Sequence, residues 1–142
     1  MSSTSLADSP PDAGEDVVRL DVPASPAYIA VVRTAAAGLA ARVDLTLDRI
    51  EDLRIAVDEA CALLVRQPSG DSDHLTCVFV LAEASLTVEV SGPRAALPDQ
   101  TAFAWSVLTA LVDGVESGVE SGGDAERTWL RLVVRREVGG WS

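Results

Sequence analysis

"RIAVDEACALL", Arg54 to Leu64, decides how this chain folds. Read as a helix it is apolar on almost every side, yet it carries two adjacent acids, Asp58 and Glu59. Consecutive helical positions point about 100° apart, so a single solvated face accommodates both acids poorly. At least one needs a partner, a cavity or a chemical role. Read outward, the helix opens near Thr46, with Asp48, Glu51 and Asp52 where negative charge favours the helix dipole. It closes around Gln67, before the turn cluster "PSGDSD". Leu47, Ile50, Leu53, Val57, Ala60 and Leu64 form its expected core stripe. Arg54 and Asp58, four residues apart, are expected to pair on the exposed side. Glu59 has no such explanation: Ile55, Ala56, Ala62 and Leu63 lie one turn away, so its carboxylate projects among apolar groups, where ionisation is costly.

Upstream, "VVRLDVPA" (Val17 to Ala24) alternates as a strand, and Ser25 followed by Pro26 is a helix start. The helix that follows, Ala27 to Arg42, places Ile29, Val32, Ala36, Leu39 and Val43 on one stripe, with Arg33 off it. Downstream, "HLTCVFVLAE" and "SLTVEVSG" are joined by a short polar link and predict an antiparallel hairpin. "GPRAALPDQ" is loop, and Thr101 to Asp113 is a third helix with Phe103, Val107, Ala110 and Leu111 inward. "VESGVESGG" reads as a weak strand running into a turn, its four-residue repeat too short to be architectural. Arg127 to Glu137 is a closing strand carrying Trp129, Leu130, Leu132 and Val134; Trp105 and Trp129 are assigned to the core. The order β-α-α-β-β-α-β-β predicts an α+β two-layer sandwich, with helices on one face of a mainly antiparallel sheet.

The length of 142 residues suits one domain, taken as 16–138, between a disordered or loosely attached tail at 1–15 and a short tail at 139–142. A net charge of −11 argues against nucleic acid or an anionic membrane as direct partner and favours a basic protein. The N-terminus has no export signal and no apolar run is long enough to span a bilayer, so a cytoplasmic protein is expected. Cys61 and Cys77, with one histidine in the chain, cannot make a four-ligand zinc site; both are expected as buried free thiols. Cys61 is close to Glu59 in sequence, but no helix N-terminus or fixed cation is evident to activate it as a redox switch.

The element order, together with "ASPAYIAVVRTAAAGLAARVDLTLDRIEDLRIAVDEAC" (Ala24 to Cys61), resembles the RsbW/SpoIIAB-like anti-sigma factors of the histidine-kinase-like (GHKL) ATPase superfamily. The likeness is close from Pro26 to Cys61 and looser to Glu137. It implies a homodimer that sequesters an RNA polymerase sigma factor and is displaced by an antagonist protein; many members also use ATP and magnesium to phosphorylate that antagonist on serine. It also implies that Glu59 stands where the family has a catalytic carboxylate, able to orient or deprotonate an attacking hydroxyl. Arg33, 26 residues before Glu59, corresponds to an arginine that contacts both partners.

Three positions depart from that pattern. The family asparagine that helps to hold magnesium is replaced by Leu63, which offers no oxygen to a hard cation. The Asp-x-Gly element that accepts from adenine is replaced by "GPRA", with Gly92 at the aspartate and Arg94 near the glycine. The glycine-rich phosphate lid is replaced by "DQTAFAWSVL", in which Phe103 is expected to occupy phosphate space. The expectation is therefore sequestration without a cofactor, ATP and magnesium remaining the alternative of a true serine kinase with Glu59 as base. A regulatory partner other than a sigma factor is a third reading. The structural alternative for Glu59 is an acid hydrogen-bonded to Arg94.

Overall fold

The structure is a computed structural model that describes residues 5–6, 12–65, 73–93, 101–122 and 125–136. The elements are β1 (Asp16–Pro23), α1 (Pro26–Arg42), α2 (Leu47–Leu64), β2 (His74–Leu81), β3 (Ser85–Gly92), α3 (Thr101–Leu111), β4 (Gly114–Gly122) and β5 (Ala125–Arg135). The strands form one sheet in the order β1-β2-β3-β5-β4, every neighbouring pair antiparallel. The helices pack on one face of it, as the α+β reading expects.

Local chemistry starts the helices where it should. The Ser25 side chain accepts from the Ala27 N–H with Pro26 at the first position, and the Thr46 hydroxyl accepts from the Arg49 N–H at 3.3 Å. Packing then selects the buried faces. Val32, Ala36 and Ala40 of α1 and Leu53, Ala56, Val57, Ala60, Cys61 and Leu64 of α2 are fully enclosed. They meet Leu75, Cys77, Phe79, Leu86, Val88, Val90, Leu130, Leu132 and Val134 from the sheet. Leu47, expected in the α2 stripe, is instead 73% exposed.

In α3 the inward stripe is Ala104 and Leu108, flanked by Trp105 and Leu111. Phe103 is 76% exposed and Ala110 is also outside, which corrects the phase expected for this helix. Trp129 is buried, but its neighbour Leu130 is the residue that joins the helix-facing core. Alternation along β5 puts Trp129 on the opposite face, across from Ser91 and Gly118.

The "VESGVESG" repeat is more structural than expected. It is β4, paired along its whole length with β5. A four-residue period is two strand steps, so equivalent residues share a face. Glu116 and Glu120 stand opposite Arg131 and Arg127, and Gly118 stands opposite Trp129. A Cβ on Gly118 would lie 2.4 Å from the Trp129 ring, so only glycine lets the indole lie across the strand.

Both cysteines are free and buried. Burial pushes the Cys61 thiol well above its usual range and the Cys77 thiol up to about 12. Both therefore stay protonated in the folded chain at pH values where unfolded thiols ionise, near pH 8.5 and above. The unfolded state then binds fewer protons, and stability falls as pH rises from about 9 toward 12. A Cys77→Val variant should lose its share of that decline, roughly 1 kcal/mol per pH unit, between about pH 9 and 10 in urea titrations. Neither thiol should react with a disulfide reagent until the protein unfolds.

Candidate functional site

Asp58 and Glu59 both lie half-buried on the rim of α2, and they resolve differently. Asp58 does not take Arg54, which reaches back to Glu51 at 3.1 Å. Its partner is Arg33 of α1, whose Nη1 donates to both carboxylate oxygens at 3.0 and 2.8 Å. The two side chains retain about a third of their exposure, so the pair braces α1 against α2 at the surface. Arg33 is thus not an unattached surface cation: its guanidinium is aimed by Asp58, and its Nε is enclosed with no acceptor.

Glu59 points along the line between core and solvent. Of its four neighbours, Ala56 and Leu63 are buried, whereas Ile55 and Ala62 are exposed, so the carboxylate is less enclosed than the sequence suggests. Among the described residues it has no hydrogen-bond or ion-pair partner. Arg94, its suggested partner, lies outside the described residues.

One turn further on, Leu63 is 7% exposed and belongs to the hydrophobic core. Gly92 ends β3 directly against the end of α2. A Cβ built there would lie 2.7 Å from the Leu64 carbonyl oxygen and 2.9 Å from the Leu64 Cβ. An aspartate at this position would have to displace backbone, so the glycine is set by close approach of helix and strand. Phe103 sits at the start of α3 with its ring largely in solvent, so among these positions it is the one that does not fill the interior.

The sequence reading missed Thr128. It lies across the ladder from Gly92 in β5, on the helix-facing side, 2% exposed, and its hydroxyl has no hydrogen-bond partner. A buried hydroxyl left unpaired costs about 1–3 kcal/mol. Its signal was available: the inward parity of Leu130, Leu132 and Val134, carried back two residues, places a polar side chain under the end of α2.

A second polar cluster is structural. Arg49 at the start of α2 pairs with Asp113, whose carboxylate also accepts from the Arg135 N–H at 2.7 Å. This ties α2 to the α3–β4 turn and to the end of β5. Among the described residues no group of His, Cys, Asp and Glu could hold a metal ion, and no helix is long and apolar enough to cross a membrane.

Residues 22–133 match the family described as histidine kinase-like ATPase domain. The chain is 35% identical over 112 residues to the anti-sigma-F factor RsbW of Mycobacterium tuberculosis, covering 73% of this chain and 62% of that protein. It is 41% identical over 58 residues to the serine-protein kinase RsbW of Bacillus velezensis, covering 41% of this chain and 36% of that protein. The Bacillus subtilis protein of the same name is 45% identical over 51 residues, 36% of this chain and 32% of its own length. The aligned stretches thus span from about a third to three-fifths of these relatives.

Two outcomes follow from the geometry. In a double-mutant cycle, Arg33→Ala and Asp58→Ala should couple by about 0.5–1 kcal/mol, the modest value of a partly exposed pair, while Arg54→Ala and Asp58→Ala should be additive. Gly92→Asp, which would restore the family's side chain, should destabilise the fold by about 1–3 kcal/mol in thermal or urea unfolding, because the space is already filled.

Proposed function

Because the chain belongs to the histidine kinase-like ATPase domain family, we propose that it is an anti-sigma factor that holds an RNA polymerase sigma factor in a stoichiometric complex and releases it to an antagonist protein. The observation that carries this reading is the solvent face of α1. Tyr28 and Val31 are 43% and 46% exposed, and Ala30, Val31, Thr34 and Ala35 line a shallow apolar depression. Along Pro26–Arg42 the helix carries two charges, Arg33 and, at its last position, Arg42. A helix that is apolar outward as well as inward presents a surface suited to a protein partner. Arg33, held at its edge by Asp58 through Nη1, keeps Nη2 as a charged donor for a partner's carboxylate.

Two partners that compete for one such face make release a matter of exchange. The acidic charge of −11 favours encounter with the basic surfaces of a sigma factor. The names of the relatives, anti-sigma-F factor and serine-protein kinase, support the same family of roles. The open edge of β1, with Val17 and Val18 about 40% exposed, suits a second copy of the chain, and a homodimer working in the cytoplasm completes the proposal.

Sequestration without catalysis is the form we favour. The described residues suit ATP and magnesium poorly: position 63 supplies no oxygen ligand and serves the core, and position 92 has neither a side-chain acceptor nor room for one. The unpaired carboxylate of Glu59 and the unpaired hydroxyl of Thr128 favour the second reading, a serine kinase acting on its antagonist with Glu59 as general base.

Titration calorimetry with ATP and magnesium should show no saturation up to about millimolar nucleotide, with Leu63→Asn as the comparison. Micromolar binding by the native chain would overturn the reading of Leu63, Gly92 and Phe103 as disabling, and Glu59 would then be tested as the base of a working kinase. Titrated against the purified sigma factors of its host, the protein should bind one tightly. Arg33→Ala and Val31→Glu should each weaken that complex about 10- to 100-fold with the fold intact by circular dichroism. Binding to none of them would overturn the proposal.

A further inference from the structure

All three helices lie on one face of the sheet, yet five side chains of the other face are buried: Thr76 at 6%, Val78 at 3%, Glu89 at 1%, Ser91 at 7% and Trp129 at 1%. Among the described residues, Ser5 and Leu6 lie against Glu89 from outside the sheet. Ser5 is 1% exposed, and its hydroxyl donates to Glu89 Oε1 at 2.5 Å. The Leu6 N–H donates to both Glu89 oxygens, at 3.0 and 2.9 Å.

On its other side Glu89 is held by Arg131, whose Nε and Nη2 lie 3.2 and 3.0 Å from Oε2. Arg131 also reaches Glu116 at 3.2 Å and lies 4.5 Å above the Trp129 ring. The carboxylate is thus shared between a fixed cation within the sheet and two donors from a segment more than eighty residues away in the chain.

We propose that the outer face of the sheet is a peptide-binding site, built around Glu89 and Arg131, whose ligand is the chain's own N-terminal segment. The site recognises a hydroxyl followed by a backbone N–H, both aimed at one carboxylate. The attachment is reversible by construction. When the segment leaves, Arg131 still neutralises Glu89, so no unpaired buried charge is left behind. The open form exposes the Glu89 carboxylate, still paired with Arg131. This inference is independent of the anti-sigma reading.

Amide hydrogen exchange on the full-length protein, read residue by residue by NMR, tests it. The Leu6 amide should exchange at least about 10-fold more slowly than in an unstructured peptide. Ser5→Asp sets a like charge against Glu89 and cannot damage the sheet, because it changes only the segment. It should return Leu6 to within about twofold of the unstructured rate while the amides of β3 stay protected. Glu89→Gln should act in the same direction. An unprotected Leu6 in the native protein, or full protection surviving Ser5→Asp, would falsify the proposal. Protection that grows with protein concentration would overturn it too, by assigning the segment to a second copy.

Discussion

The enclosure of α2 is the constraint on which the rest of the molecule depends. Leu53, Ala56, Val57, Ala60, Cys61 and Leu64 have no solvent exposure, and the helix touches α1, α3 and the central strands β3 and β5. A helix packed on three sides keeps only a narrow rim for polar groups, and two adjacent acids must share it. Alanines at 56 and 60 allow the close approach; larger side chains there would separate the layers. Asp58 settles by crossing to Arg33, and Glu59 is left at the water line with its charge uncommitted. The chemistry available at this site is therefore a consequence of how tightly the helix is held.

The same closeness governs the far end of α2. The Leu64 carbonyl lies against Gly92, and Leu63 turns into the core one helical turn after Glu59. Room for a ligand at the junction of α2, β3 and β5 is set by backbone approach as well as by side-chain identity. One leucine replaced by an amide would change the chemistry at position 63, but the glycine contact belongs to the packing of two elements. Thr128 beneath this junction keeps an unpaired hydroxyl, a local cost that the surrounding apolar burial offsets.

The other face of the sheet follows a different rule. Asp21, Thr76, Glu89, Arg131 and Glu116 place polar groups on all five strands, with Thr76 donating to Asp21 at 2.6 Å. That bond holds the Asp21 carboxyl below its ordinary range, against the opposing effect of partial burial. Charge matching organises this face and apolar packing the opposite one. The VESG repeat of β4 serves both, supplying Glu116 and Glu120 outward and Val115 inward.

The order of elements, the two helix caps, the hairpin and the buried stripes of α1 and α2 were legible in the sequence because each rests on local spacing and local hydrogen bonds. Family membership was legible in Ala24 to Cys61 for the same reason. What failed was phase and pairing: the facing of Phe103, the side of the sheet taken by Trp129, the exposure of Leu47 and the partner of Asp58. Each depends on which distant element arrives at a given face. An arginine 25 residues away outcompetes one four residues away when two helices fix its geometry. The seat of Ser5 on Glu89, across 84 residues, was beyond any local pattern. Spacing along the chain determined what the elements are, and only their packing decided which charges and hydroxyls meet, because the energy of those meetings is realised in three dimensions.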